Sequence, residues 1–308
     1  MGRNINYQFK NAIDMSFDNG GADKFSEKQQ HTGRNMDTVY SFAERSNLLE
    51  LSHQLGDYVK TNFNDVKQVA NIQPHMVQDF LNVKATTCNQ NTLEQYASRI
   101  HKLEAVINTA YKSNVNWYSD LVTPVSAISQ DKTRDIATNR EDFNAIMAKA
   151  EDSKSQAPIA IQLAGEFGLR VSETTKLQPR DVNFETMKLH IHESKGGRSR
   201  DLEILPHQVP FLEKICEGKE ATERIVEIKE DSVNKWLSRT EEAIGIRAKY
   251  AEANSGIHSI RKMIAQEKFD QFRADGMSQK DALDKVSEYL GHGKDRMETM
   301  QQYVLNIH

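Results

Sequence analysis

LHIHESKGGRSRDLEILP, residues 189–206, decides which fold the rest of the chain must join. Read from its histidines, His190 and His192 flank one apolar residue. On a strand they project to the same side and are sterically able to hold a metal. Read from its glycines, two alternating runs, MKLHIHES and RSRDLEILP, meet at KGG. That is a β-hairpin signal, with Lys195 carried in the turn. Around this hairpin the flanking chain offers only helices.

Working outward, REDFNAIMAKAE and APIAIQLAGEFG have helical character, and everything from 207 onward reads as helices broken at NSGIHS, RADGMS and GHGKD. The expected second domain, 139–308, is therefore mainly α with one small β-hairpin or sheet. A proline and small polar residues in YSDLVTPVSAISQDKTRD mark a linker over 118–138. Residues 38–117 read as a small helical bundle. Leu48, Leu51, Leu55 and Val59 recur three or four apart, Pro74 opens a second helix, and Leu93, Tyr96, Ile100, Leu103 and Ile107 form one stripe. Residues 1–37, with breakers DNGGADK and QQHTGRN, are expected to be an irregular arm.

The bulk numbers set bounds. With 308 residues the chain is long enough for two cores, and 38% hydrophobic with 27% charged residues is ordinary for a soluble protein. No apolar run approaches a membrane span, and the first residues, MGRNINYQFKNAID, lack the apolar core of a signal peptide. Asn6 stands where a myristoylation motif requires Ser or Thr. Cys88 and Cys216 lie far apart without metal-ligand spacing, so a reducing cytoplasm is expected. Net charge is −4, and residues 140–308 carry 26 Lys and Arg against 29 Asp and Glu, leaving 14 against 15 before them. Global charge thus gives no support for nucleic-acid binding, and DNA phosphates would have to be met by local basic patches. Arg99, Lys102, Lys112, Arg198 and Arg200 are the residues expected to supply them, each with a plain alternative as a solvated surface charge.

Four segments carry chemistry in order. GLRVSE places Arg170 just past a helix end and Glu173 three residues on; the hairpin carries Lys195. HSIRK puts His258 and Arg261 one helical turn apart, on one face. EYLGHGKDRMETMQQYV sets His292 after a helix-ending glycine and Tyr303 eleven residues later. Arg, Lys, His-x-x-Arg, Gly-His and Tyr in this order resemble the catalytic domain of the tyrosine site-specific recombinases, the phage integrase family, over roughly 140–308. The family's helical core-binding domain would fall on 38–117, and the arm resembles the extra segment of mobile-element integrases.

The resemblance implies a chemistry these residue types suit. A phosphodiester attacked by an oxygen nucleophile develops charge on its non-bridging oxygens, which Arg170 and Arg261 can hold while staying protonated. Tyr303 would be the nucleophile, His258 a proton acceptor or phosphate ligand, Lys195 the acid for the 5′-hydroxyl leaving group, and His292 a second phosphate contact. Glu173 would brace the site. No cofactor or metal is required, and a 3′-phosphotyrosine keeps the bond energy for rejoining without ATP. The implied partners are double-stranded DNA with an inverted-repeat site, further copies in a synaptic tetramer and an accessory DNA-binding protein, with integration or excision of a mobile element as the outcome. Other readings are a non-recombining DNA-binding relative, a type IB topoisomerase-like strand transferase and a metal-dependent His-hydrophobe-His nicking enzyme. The last would leave Arg170, Lys195, His258 and Arg261 without roles. The spacing from His292 to Tyr303 exceeds the family's usual one, through the turn GKDR, and makes Tyr289 the rival nucleophile.

Overall fold

The computed structural model describes residues 4–18, 37–128, 136–150, 153–194, 198–251 and 256–308. Two units divide the chain, Met1–Asp131 and Lys132–His308.

In the first unit the apolar stripes become the buried faces of α1 (Ile5–Met15), α2 (Phe42–Asn62), α3 (Pro74–Ala85) and α4 (Gln90–Tyr111). Local signals fix the starts. The Ser41 and Asn89 side chains accept the first-turn N–H groups of Glu44 and Thr92, and Pro74 occupies the first turn of α3. Leu48, Leu51, Leu55, Val59 and the α4 stripe all lie in the core. Where an irregular arm was expected, residues 5–15 form a helix that packs on α2 and α4 through Ile5, Phe9, Ala12 and Ile13. Those four apolar residues suffice for one face of a helix, although the surrounding composition is polar. The close approach is permitted by Gly56 on α2, where an added Cβ would lie 1.9 Å from Asn6 Oδ1.

Two further expectations change here. Lys102 is 7% exposed, its ammonium donating to the Thr38 carbonyl and lying 5.3 Å from the Tyr40 ring centre. It ties the chain before α2 to α4 and does not present a free surface charge; Arg99 is half-buried and Lys112 exposed. The first part of the expected linker, meanwhile, lies along α3 and α4. The Gln78 side chain exchanges two 2.9 Å hydrogen bonds with the backbone of Val122, and Gln90 accepts from Ser126 N–H at 3.0 Å.

The second unit contains α5 (Arg140–Ala150), α6 (Ala157–Phe167), α7 (Val171–Thr174), β1 (Val182–Asn183), β2 (Lys188–Ser194), β3 (Arg198–Glu203), α8 (Val209–Cys216), α9 (Glu230–Ala243), α10 (Arg247–Ala251), α11 (Ile257–Ala274), α12 (Gln279–Tyr289) and α13 (Met297–Gln301). It is mainly helical, and its antiparallel sheet has the order β1-β2-β3, one short strand beyond the hairpin. α6 packs against α9 and α11 around Ile161, Leu163, Phe167 and Ile264. Alternation along the strands buries Leu189 and Ile191 of β2 with Leu202 of β3 and Ile204 just beyond it. The register sets His190 opposite Asp201 and Ile191 opposite Arg200.

Candidate active site

α6 ends at Gly168, whose φ of +63° is a left-handed conformation that an L side chain rarely adopts, and whose N–H reaches the Ala164 carbonyl at 2.9 Å. The chain turns there into Arg170, the N-cap of α7. Glu173, 3% exposed in its side chain, accepts from Arg170's backbone N–H (2.9 Å) and from its guanidinium (2.7 Å). The first turns of α11 present His258 and Arg261. After α12, Gly291 (φ +74°) redirects the chain to His292, and α13 leads to Tyr303.

These elements bring six of the expected residues together. Arg170 Nη2 lies 3.2 Å from His292 Nε2. Arginine can only donate, so His292 accepts at Nε2 and holds its proton on Nδ1. Burial, then the charges of Arg170 and Arg261, push His292 down to about 3, leaving the ring neutral at ordinary pH. The Tyr303 ring is wedged between the two histidines, its centre 5.0 Å from that of His258 and 5.0 Å from that of His292, both edge-on. The Arg261 guanidinium lies 5.7 Å from the same ring centre. Arg261 is 0% exposed and donates to the carbonyls of Gly168 and Leu290. Burial, then Arg170, lower it to about 10, which still leaves it charged at neutral pH. A pocket of about 230 Å³ opens beside this cluster, lined in part by Arg170, Ser172, Asn234, His258 and Arg261.

The segment after Tyr303 is held on α11, the helix that carries His258 and Arg261. Gln266 accepts from Asn306 N–H at 2.9 Å and donates to its carbonyl at 3.0 Å, while Arg273 Nε reaches the His308 carbonyl at 3.1 Å. Tyr289, the rival nucleophile, is partly buried against the core, and burial raises its phenol well above the ordinary range.

Other expected residues stand elsewhere. Lys195 lies outside the described residues, as does the side chain of Arg198. His190 and His192 are each paired with a carboxylate, Nδ1 of His190 with Asp201 at 2.6 Å and Nε2 of His192 with buried Asp181 at 2.7 Å. Among the described residues, no group of three or more His, Cys, Asp or Glu is placed to hold a metal, and no helix is long and apolar enough to cross a membrane.

Arg200 is corrected outright. Expected as a DNA-facing charge, it is 10% exposed in its side chain and spans Glu173 with both terminal nitrogens, each at 3.0 Å, while Nε donates to the Tyr289 carbonyl at 2.9 Å. The signal for this was in the strand period. Residues 200, 202 and 204 share one face, and Leu202 and Ile204 are buried.

Sequence comparison gives the family. Residues 137–306 match the model of the phage integrase family, and the chain belongs to that family. It is 26% identical over 151 residues to a tyrosine recombinase of Thermosipho africanus, which covers 48% of this chain and 53% of the relative. The chain thus matches about half the length of that curated relative. Its fold is similar to that of the XerH site-specific recombinase solved with difH substrate, at TM-score 0.61 and 15% identity, covering 97% of this chain and 90% of the other. It is also similar to lambda integrase solved as a tetramer on a Holliday junction, at TM-score 0.58 and 14% identity, covering 92% and 77%.

Proposed function

We propose that this chain cuts and rejoins DNA strands at a specific site through a 3′-phosphotyrosine. The observation that carries the reading is the convergence on one phenol, Tyr303, of two histidine rings and a buried guanidinium, with Arg170 joined to one of those histidines. Tyr303 Oη attacks phosphorus, the P–O5′ bond breaks, and the phenolic proton leaves toward His258. The 5′-oxygen takes up a proton from an acid, the role given to Lys195. Arg170 and Arg261 stabilise the charge that grows on the non-bridging oxygens, where fixed donors are most effective. His292, neutral and fixed by Arg170, offers its Nδ1–H as a donor. In the structure the Tyr303 ring covers Arg261, so entry of the phosphate displaces the ring from the guanidinium face and brings its hydroxyl alongside.

Glu173 keeps the guanidiniums oriented. The energy of the broken ester stays in the tyrosyl linkage, and attack by another strand's 5′-hydroxyl reverses the step. Pairing two sites calls for several copies on DNA, in line with the tetramer in which lambda integrase was solved. In this reading residues 38–117 and 139–308 are the core-binding and catalytic domains. The outcome is integration or excision of a mobile element carrying an inverted-repeat site.

A nicked suicide substrate tests the reading. Wild-type protein is expected to trap a covalent adduct, Tyr303→Phe to trap none while still binding the site, and peptide mapping to find DNA on Tyr303. Adduct on Tyr289, with Tyr303→Phe active, would overturn the assignment of the nucleophile. Sequencing the junctions recovered from cells identifies the element moved.

A further inference from the structure

We infer that Arg200 is a positioning residue for the phosphate-holding groups, acting through Glu173 on Arg170 and through the Tyr289–Gly291 turn on His292. The inference rests on the strand-transfer reading. It starts from a contrast between the arginines. Arg261 stands at the Tyr303 ring and Arg170 at His292, whereas all three nitrogens of Arg200 have protein acceptors within 3.0 Å. Its two terminal nitrogens bind the two oxygens of one carboxylate, a planar match that fixes both partners in rotation as well as distance. The same two oxygens receive the Arg170 guanidinium and backbone N–H. The orientation of Arg170 is therefore set by a carboxylate that Arg200 holds flat.

The second arm runs to the other side of the site. Arg200 Nε binds the Tyr289 carbonyl at the end of α12. Its side chain also packs against Gly291, where an added Cβ would lie 2.8 Å from Nη1 and 3.2 Å from Cδ. That glycine precedes His292, whose Nε2 meets Arg170. One side chain on β3 thus spans α7 and the turn after α12, and the two groups it steadies meet each other at 3.2 Å. The hairpin is more than a lysine carrier. It supplies the strut between two ends of the phosphate cradle.

Arg200 does not reach the leaving oxygen in this scheme, so losing it should look like loss of charge stabilisation and not loss of acid. The test compares wild type, Arg200→Ala and Arg200→Lys by the rate of covalent adduct formation on three suicide substrates. These carry a normal scissile phosphate, a 5′-bridging phosphorothiolate whose thiolate leaves without an acid, or an uncharged methylphosphonate. On the normal phosphate Arg200→Ala is expected to be slower by about ten- to a hundredfold, the usual cost of removing a charged hydrogen-bond partner. The phosphorothiolate should leave that deficit in place. The methylphosphonate should shrink it to within about threefold of wild type, because an uncharged centre asks little of a misplaced Arg170. Arg200→Lys, which keeps charge but not the planar fork, should fall between and carries the same comparison if the alanine variant does not fold. Equal deficits on all three substrates, or relief by the phosphorothiolate alone, would overturn the inference. No adduct from wild type on any substrate would instead overturn the strand-transfer reading itself.

Discussion

Glu173→Gln is the substitution that most directly tests how the cluster is held together. The carboxylate is 3% exposed in its side chain and lies among three guanidiniums, with Arg261 Nη1 at 3.7 Å in addition to the hydrogen bonds from Arg170 and Arg200. Glutamine keeps the shape, removes the charge and aims an amide N–H₂ at groups that only donate. Removing one partner from a buried ion pair typically costs about 3–5 kcal/mol. Arg170 keeps 14% of its side-chain surface in contact with solvent, which favours the lower end, about 3 kcal/mol. For a unit spanning residues 132–308 that amounts to a fall in Tm of roughly 6–12 °C. The assay is calorimetric unfolding, following the transition of the second unit with and without sulfate. An anion that enters the uncompensated guanidinium cluster should raise the Tm of Glu173→Gln by more than it raises wild type. A loss below about 1 kcal/mol, or equal shifts with sulfate, would refute the claim that one carboxylate organises the arginines.

Three further outcomes are expected. Lys102→Ala should destabilise the first unit by about 1–3 kcal/mol in chemical denaturation, by removing the ammonium that satisfies the Thr38 carbonyl, while Lys112→Ala stays within about 0.5 kcal/mol. His292 has its folded value pushed down to about 3, below its unfolded value, so the unfolded chain binds the proton first as pH falls. Its contribution should be intact above about pH 6.5 and be lost progressively below it, on the order of 1 kcal/mol at pH 5, and NMR of the ring should show no titration between pH 5 and 8. His190→Ala combined with His192→Ala should leave adduct formation within about tenfold of wild type, roughly 1.4 kcal/mol in barrier, with or without EDTA. A hundredfold loss, or a requirement for metal, would restore the metal reading.

The parts of the fold legible in the sequence were those governed by short-range periodicity. The stripe from Leu93 to Ile107 and the series from Leu48 to Val59 mark buried helix faces because three- and four-residue spacing is a local property. Gly168 and Pro74 signal their helix boundaries for equally local reasons. β1 was not legible, since Val182 and Asn183 are too few to show alternation, and their strand character comes from pairing with Leu189 and Lys188. α1 was missed because its four inward residues are diluted by polar neighbours, and the surface that orders them is contributed by α2 and α4. At the site, motif order identified the residues that converge. It did not show that Lys102 and Arg200 turn inward, because a charged residue reads as solvated until the acceptor that compensates its burial is known. For Lys102 that acceptor lies 64 positions away, and for Arg200 it lies 27 and 89 positions away.

The anchorage of the last residues on α11 has a kinetic consequence. Gln266 and Arg273 bind the backbone at Asn306 and His308, contacts that depend little on which side chains follow Tyr303. Any second copy presents an identical helix with the same two docking points. Trading tails between copies would therefore be thermoneutral in contacts, and only the entropy of tethering would separate a self-closed chain from a linked one. If copies did trade tails, the rate would be set by peeling the segment from its own helix, where the Gln266 amide holds it.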